Sequence, residues 1–120
     1  MATLGLQGSY DFNSATINAK VTRTSPGNYA LGYIDDEGAL IIKYIGRADE
    51  NLNNRLHQQI GKSPRYKSFK WDYATSPKAA FEKECRNYHD FGENKKLDNE
   101  IHPDRPRGAN WKCPICGIFG

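Results

Sequence analysis

Glu84 lies in the run KAAFEKECRNYHDFG, residues 78–92, where Phe81, Cys85, Tyr88 and Phe91 recur at helical spacing. At about 100° per residue these four define one face; Glu84 falls inside it, while Glu82 and Lys83 fall outside. A carboxylate among core residues carries a burial cost that must be offset. Two readings do so: a metal-binding or acid/base carboxylate at a sheet surface, or a glutamate whose methylenes pack while its head reaches solvent or pairs with an arginine. Tyr29 and Tyr44 sit in two neighbouring β-prone stretches. A phenol near a cation or within a hydrogen-bond network can take or relay a proton, although most strand tyrosines are simply core residues.

Further along, KSPRYKSFKW interleaves Lys62, Arg65, Lys67 and Lys70 with Tyr66, Phe69 and Trp71. Such a stretch can neutralise phosphates while its rings stack on bases; an amphipathic strand with a solvated basic edge has the same letters. Near the end, Cys113-Pro114-Ile115-Cys116-Gly117 has the turn that points two sulfurs at one zinc ion. Zinc needs four ligands, and His102, His89, Cys85 or a second copy of this segment would have to complete the set. A solvated dithiol is the alternative.

The elements that must position these groups read as follows. Residues 1–25 form a lead-in with an edge strand at 15–21. Residues 29–34 and 39–45 form a β-hairpin closed by Asp35-Asp36-Glu37-Gly38. Asp49 caps a helix with Leu52, Leu56 and Ile60 on its apolar stripe, Arg55 on the flank and Gly61 at its end. Phe69, Trp71 and Tyr73 alternate with polar residues as a half-buried strand, and Ser76-Pro77 opens the helix that carries Glu84. This predicts an α/β domain, an α+β sandwich with a small mixed or antiparallel sheet of about three strands in the order β-β-α-β-α, with helices in a single layer. The domain spans 26–103, and 104–120 form an irregular tail.

Composition sets the class. At 120 residues, 38% hydrophobic and 26% charged, the chain has enough apolar content for one packed core and too little for a membrane span. The start has no signal-peptide pattern and the cysteine count is odd, which predicts a cytoplasmic protein without a disulfide framework. A net charge of +3 is compatible with nucleic acid without requiring it.

Gly27-Asn28-Tyr29, then Tyr44-Ile45-Gly46, then RADENLNNRL ending at Arg55, and finally the helix with Glu84, resemble in order the GIY-YIG nuclease superfamily. The resemblance covers about two thirds of the chain, residues 26–103. It implies hydrolysis of DNA phosphodiester bonds assisted by one divalent ion, magnesium or manganese, with Glu84 as its ligand. Arg55 would stabilise charge on the phosphate. Tyr29, its phenol acidified by the cation and Arg55, would act as general base or position the water, and Tyr44 would orient the network. Gly27 and Gly46 would let backbones approach closely. Asn99, with Asn94 as alternative, matches a downstream asparagine of the family.

The pattern departs from the family at four places, one of them a slightly long hairpin that sets Tyr29 and Tyr44 15 residues apart. Asn28 replaces an aliphatic residue, Arg55 lies one residue further from Tyr44 than is common, and Gln59 stands where many members have histidine or tyrosine, a role open to His57 or Tyr66. The alternatives are an inert nucleic-acid-binding module of the same fold and a zinc-stabilised interaction domain. Either nuclease or module would use Lys62, Arg65, Lys67 and Lys70 on DNA, and a chain this short implies a further targeting domain or protein partner.

Overall fold

The computed structural model describes residues 6–90. Its elements run β1 (Gln7–Asp11), α1 (Ser14–Lys20), β2 (Gly27–Ile34), β3 (Leu40–Ala48), α2 (Leu52–Gln59), β4 (Ser68–Tyr73) and α3 (Pro77–Asp90). The expected β-β-α-β-α order holds from β2 onward, preceded by a strand and a helix. The sheet has four strands rather than about three, in the order β1-β4-β2-β3, with every neighbouring pair antiparallel. No described helix is long and apolar enough to cross a membrane.

The hairpin forms where its turn residues require. The Asp35 carboxylate accepts hydrogen bonds from the backbone of Glu37 and of Ala39, each at 2.9 Å, and Gly38 takes the left-handed φ of +84°. Residues 15–21, predicted as an edge strand, are instead mostly helix. The Asn13 side chain caps α1 by accepting from Thr16 N at 2.8 Å, and Ile17 and Val21, one helical turn apart, enter the core. The edge strand is Gln7–Asp11, whose nearly continuous exposure leaves no apolar alternation to announce it.

Central strand β2 is buried on both sides from Gly27 to Gly32, so both faces of the sheet need cover. The single helical layer expected from sequence is therefore two. On one face Ile17, Val21, Leu52 and Leu56 of the α1 and α2 segments pack on Tyr29, Leu31, Phe69 and Trp71. On the other, Tyr88 of α3 packs on Ala30 and Ile45.

Two caps decide how the helices enter. Asn51, not Asp49, caps α2, accepting from Asn54 N at 3.2 Å, while Asp49 is drawn away by Arg47. Ser76 accepts from Ala79 N at 3.1 Å just before Pro77 opens α3, as the residue order predicts. Asn28 anchors α3 to the sheet. Its amide is 1% exposed and donates to the Ala80 carbonyl at 2.8 Å, which accounts for a polar residue in the middle of a buried strand. Asn28→Ala should lower stability by about 2 kcal/mol through the lost bond and the gap left behind, read from urea unfolding.

Candidate functional site at the edge of the sheet

The site is built around β3, the outermost strand beside β2. The antiparallel register sets Tyr29 opposite Gly46. A Cβ at residue 46 would collide with the Tyr29 ring and hydroxyl, so glycine there is what lets the phenol lie across β3. Gly27 allows a different close approach, with the Asp72 carbonyl of β4 and the Leu52 side chain of α2 against the place a Cβ would take. Gly46→Ala should cost at least about 2 kcal/mol and displace the Tyr29 ring. The measurement is thermal unfolding together with near-ultraviolet circular dichroism.

Tyr44, two residues before Gly46, lies on the same face, its ring stacked on that of Tyr29 with centroids 6.3 Å apart. Arg55 stands on α2 on this side, exposed and hydrogen-bonded to Gln58 Oε1 at 3.2 Å. Glu84 comes from α3 on the opposite face. It is 7% exposed, and Arg47 Nη1 donates to its Oε1 at 2.6 Å. The same guanidinium donates from Nε to Asp49 Oδ1 at 2.8 Å and lies over the Phe81 ring. Arg47 thus holds two carboxylates at once.

Of the two readings of Glu84, the arginine partner is present. That partner was missed in the sequence although a signal exists. Period two from the buried Ile45 carries Arg47 onto the α3 face, where a charged side chain requires a counter-ion.

The two groups of side chains meet electrostatically across the strand. The Glu84 charge raises the pKa of both Tyr29 and Tyr44, and the Arg55 charge lowers both. Burial exceeds either influence for Tyr29 and, without a bound cation, holds its phenol well above the ordinary range. Its hydroxyl is fully buried and makes no hydrogen bond of acceptable geometry with protein, Arg55 included. Tyr44 is raised by the same two causes, burial first and Glu84 second. Burial also raises Glu84, to about 7, against the opposing pull of Arg47.

The remaining candidates divide. Tyr66 joins the site, its ring tilted against Tyr44 with centroids 6.0 Å apart. His57 does not, because its Nε2 faces Ser14 Oγ at 3.0 Å and its Nδ1 faces the Asn53 carbonyl at 2.8 Å, linking α2 to α1. It lies about 200° round the helix from Arg55. Gln59, at the position where many members of the resembled family have histidine or tyrosine, is 8% exposed.

Lys62, Arg65 and Lys67 are exposed on the connection from α2 to β4, whereas Lys70 is half-buried and alternates onto the α3 face, away from them. Cys85 is sealed in the core. Phe91, Asn94, Asn99, His102, Cys113 and Cys116, and with them the zinc question and the tail, lie outside the described residues.

Among the described residues no three of His, Cys, Asp and Glu converge to enclose an ion. The carboxylates of Glu84 and Asp49 lie against two different nitrogens of the Arg47 guanidinium. An ion such as magnesium, which dehydrates reluctantly and keeps most of its waters, would need only one or two such oxygens, and Arg47 would have to share them.

Fold and site together define a small α/β domain in which phenols, guanidinium groups and a buried carboxylate from both faces of an antiparallel sheet meet at an edge strand. No protein-family model, no curated protein and no solved structure matches the chain.

Proposed function

We propose that this domain is a GIY-YIG-type endonuclease that hydrolyses DNA phosphodiester bonds with a divalent metal ion. The observation that carries the reading is the convergence of Tyr29, Tyr44, Arg55 and Glu84 at the edge of β3 from β2, β3, α2 and α3, each within electrostatic reach of others in the set. These are the four groups that the resemblance assigns to catalysis, and they lie far apart in sequence.

In the reaction, Glu84 would hold the ion, with Asp49 at the other end of Arg47 as a second carboxylate. The ion, when bound, supplies Lewis-acid stabilisation of the phosphate oxygens. Arg55, exposed on α2, presents the planar fork that matches a phosphate and offsets the charge that grows on it. Tyr29 is neutral at pH 7, and its unpaired hydroxyl is the one with capacity to bond an attacking water and direct it at phosphorus. The water oxygen bonds to phosphorus as the bond to the leaving oxygen breaks, the proton lost by water leaves to solvent, and the leaving oxygen takes up a proton from solvent. Tyr44, stacked on Tyr29, fixes the ring that does the positioning.

The test is incubation of the purified chain with supercoiled plasmid in magnesium or EDTA; magnesium-dependent nicking is the expected result. At limiting magnesium the rate should climb as pH passes through about 7, because a proton competes with the ion for Glu84. A flat profile there would remove Glu84 from the metal site. The inert binding module is the second reading, favoured by the buried Gln59 where many members of the resembled family have histidine or tyrosine. Salt-sensitive DNA binding without nicking in any divalent metal would establish it.

A further inference from the structure

We propose that the connection between α2 and β4 is a docking track for single-stranded DNA, with Tyr66 as the platform on which an unpaired base stacks. The proposal rests on the nuclease reading only in placing that base beside the scissile phosphate.

Charge is the first observation. From Asn51 to Trp71 the chain contains no aspartate or glutamate, while Arg55, Lys62, Arg65, Lys67 and Lys70 all fall within it. Lys62, Arg65 and Lys67 are exposed and bracket Tyr66. Phosphates spaced along a strand are the complement of such a segment.

Geometry is the second. Tyr66 is half-buried, tilted by 52° on Tyr44, and Tyr44 stacks at 18° on the fully buried Tyr29. Three rings therefore lead from the surface to the unpaired Tyr29 hydroxyl, so a base on Tyr66 holds its strand against the candidate centre. Ile60, 40% exposed at the start of the same connection, adds apolar surface that suits a base face.

Order is the third. Tyr66 N donates to the Ser63 carbonyl at 3.2 Å, Lys62 N to Gln59 O at 3.2 Å and Arg65 N to Ser63 Oγ at 3.2 Å, while Lys67 N reaches the Gly32 carbonyl of β2 at 2.8 Å. The segment is thus held in place before any ligand arrives, which reduces the ordering cost of binding. Within a duplex both faces of each base are already stacked on neighbours. Only an unpaired base has a face to offer Tyr66, which selects single-stranded over duplex DNA.

The experiment is fluorescence anisotropy of the full chain in EDTA with oligothymidylate of about fifteen nucleotides, an abasic strand of equal length and a duplex. Oligothymidylate should bind about tenfold more tightly than either comparison, the size of one base–aromatic stack. Tyr66→Phe should keep that advantage and Tyr66→Leu should remove it. Lys62→Gln and Lys67→Gln should each make the salt dependence shallower by about 0.7 in slope. Equal binding of the abasic strand or the duplex to the parent would overturn the proposal, and this comparison needs no variant to fold. Competition by polyglutamate as effective as by oligothymidylate would also overturn it, since the segment would then be a general anion site for an acidic partner. Because every binding arm runs without metal, loss of the nuclease reading leaves this result standing. Nicking activity with no dependence on the base would retain the nuclease and discard the track.

Discussion

Glu84→Gln is expected to lower magnesium-dependent nicking by about 10³-fold or more under the proposed function, since a neutral amide could not replace a carboxylate that would hold the ion and the several kcal/mol the ion would supply to the transition state. The fold should survive. Glutamine has nearly the same shape, and in the metal-free protein a buried carboxylate raised to about 7 already favours its neutral form on the acid side of that value.

The same shift makes a second readout available. In the unfolded chain Glu84 loses its proton near 4.5, and in the folded chain near 7, so between these values the native state binds more protons and stability falls as pH rises. In EDTA the parent should therefore lose stability across this window, and Glu84→Gln should flatten that part of the profile. A variant that nicks DNA like the parent while its stability profile is flattened would place Glu84 in the structure and remove it from the chemistry.

Tyr29→Phe is expected to separate activity from stability in the opposite directions. The hydroxyl removed is buried and unpaired, and a group of that kind carries a desolvation cost of roughly 1–3 kcal/mol. Phenylalanine keeps the stacked ring beside Tyr44 and the aromatic surface over Gly46. Unfolding should thus show equal or higher stability, while nicking falls by about 10²-fold or more if the hydroxyl positions the attacking water. Unchanged nicking would leave Tyr29 as a core residue whose hydroxyl does nothing. A pH profile of the parent adds a check, because burial holds this phenol neutral and no rise in rate from its ionisation is expected near neutral pH.

Much of the frame was legible because local rules decide it. Asp35 and Gly38 name their turn, Ser76-Pro77 names a helix start, and the spacing of Phe81, Cys85 and Tyr88 places Glu84 on a buried face, each without reference to distant residues. Local rules misled where another contact outbid them. Asp49 is as good a cap as Asn51 by residue type, but Arg47, only two residues before it, takes its carboxylate. Residues 15–21 contain β-branched side chains, yet Ile17 and Val21 find the core as a helical pair. The weak strand Gln7–Asp11 exists only because β4 has a free edge to pair with.

For this protein the sequence by itself determined the helix and strand periods, the turn chemistry and the burial of Glu84, since all of these follow from neighbours a few residues away. Tertiary structure alone decided that Arg47 would join Glu84 to Asp49, that the Tyr29 hydroxyl would be buried across Gly46 with its pKa raised, and that Tyr44 would contact both Tyr29 and Tyr66. The physical reason is that desolvation and charge coupling depend on which atoms surround a group in space, and those atoms come from strands and helices up to several tens of residues apart in the chain.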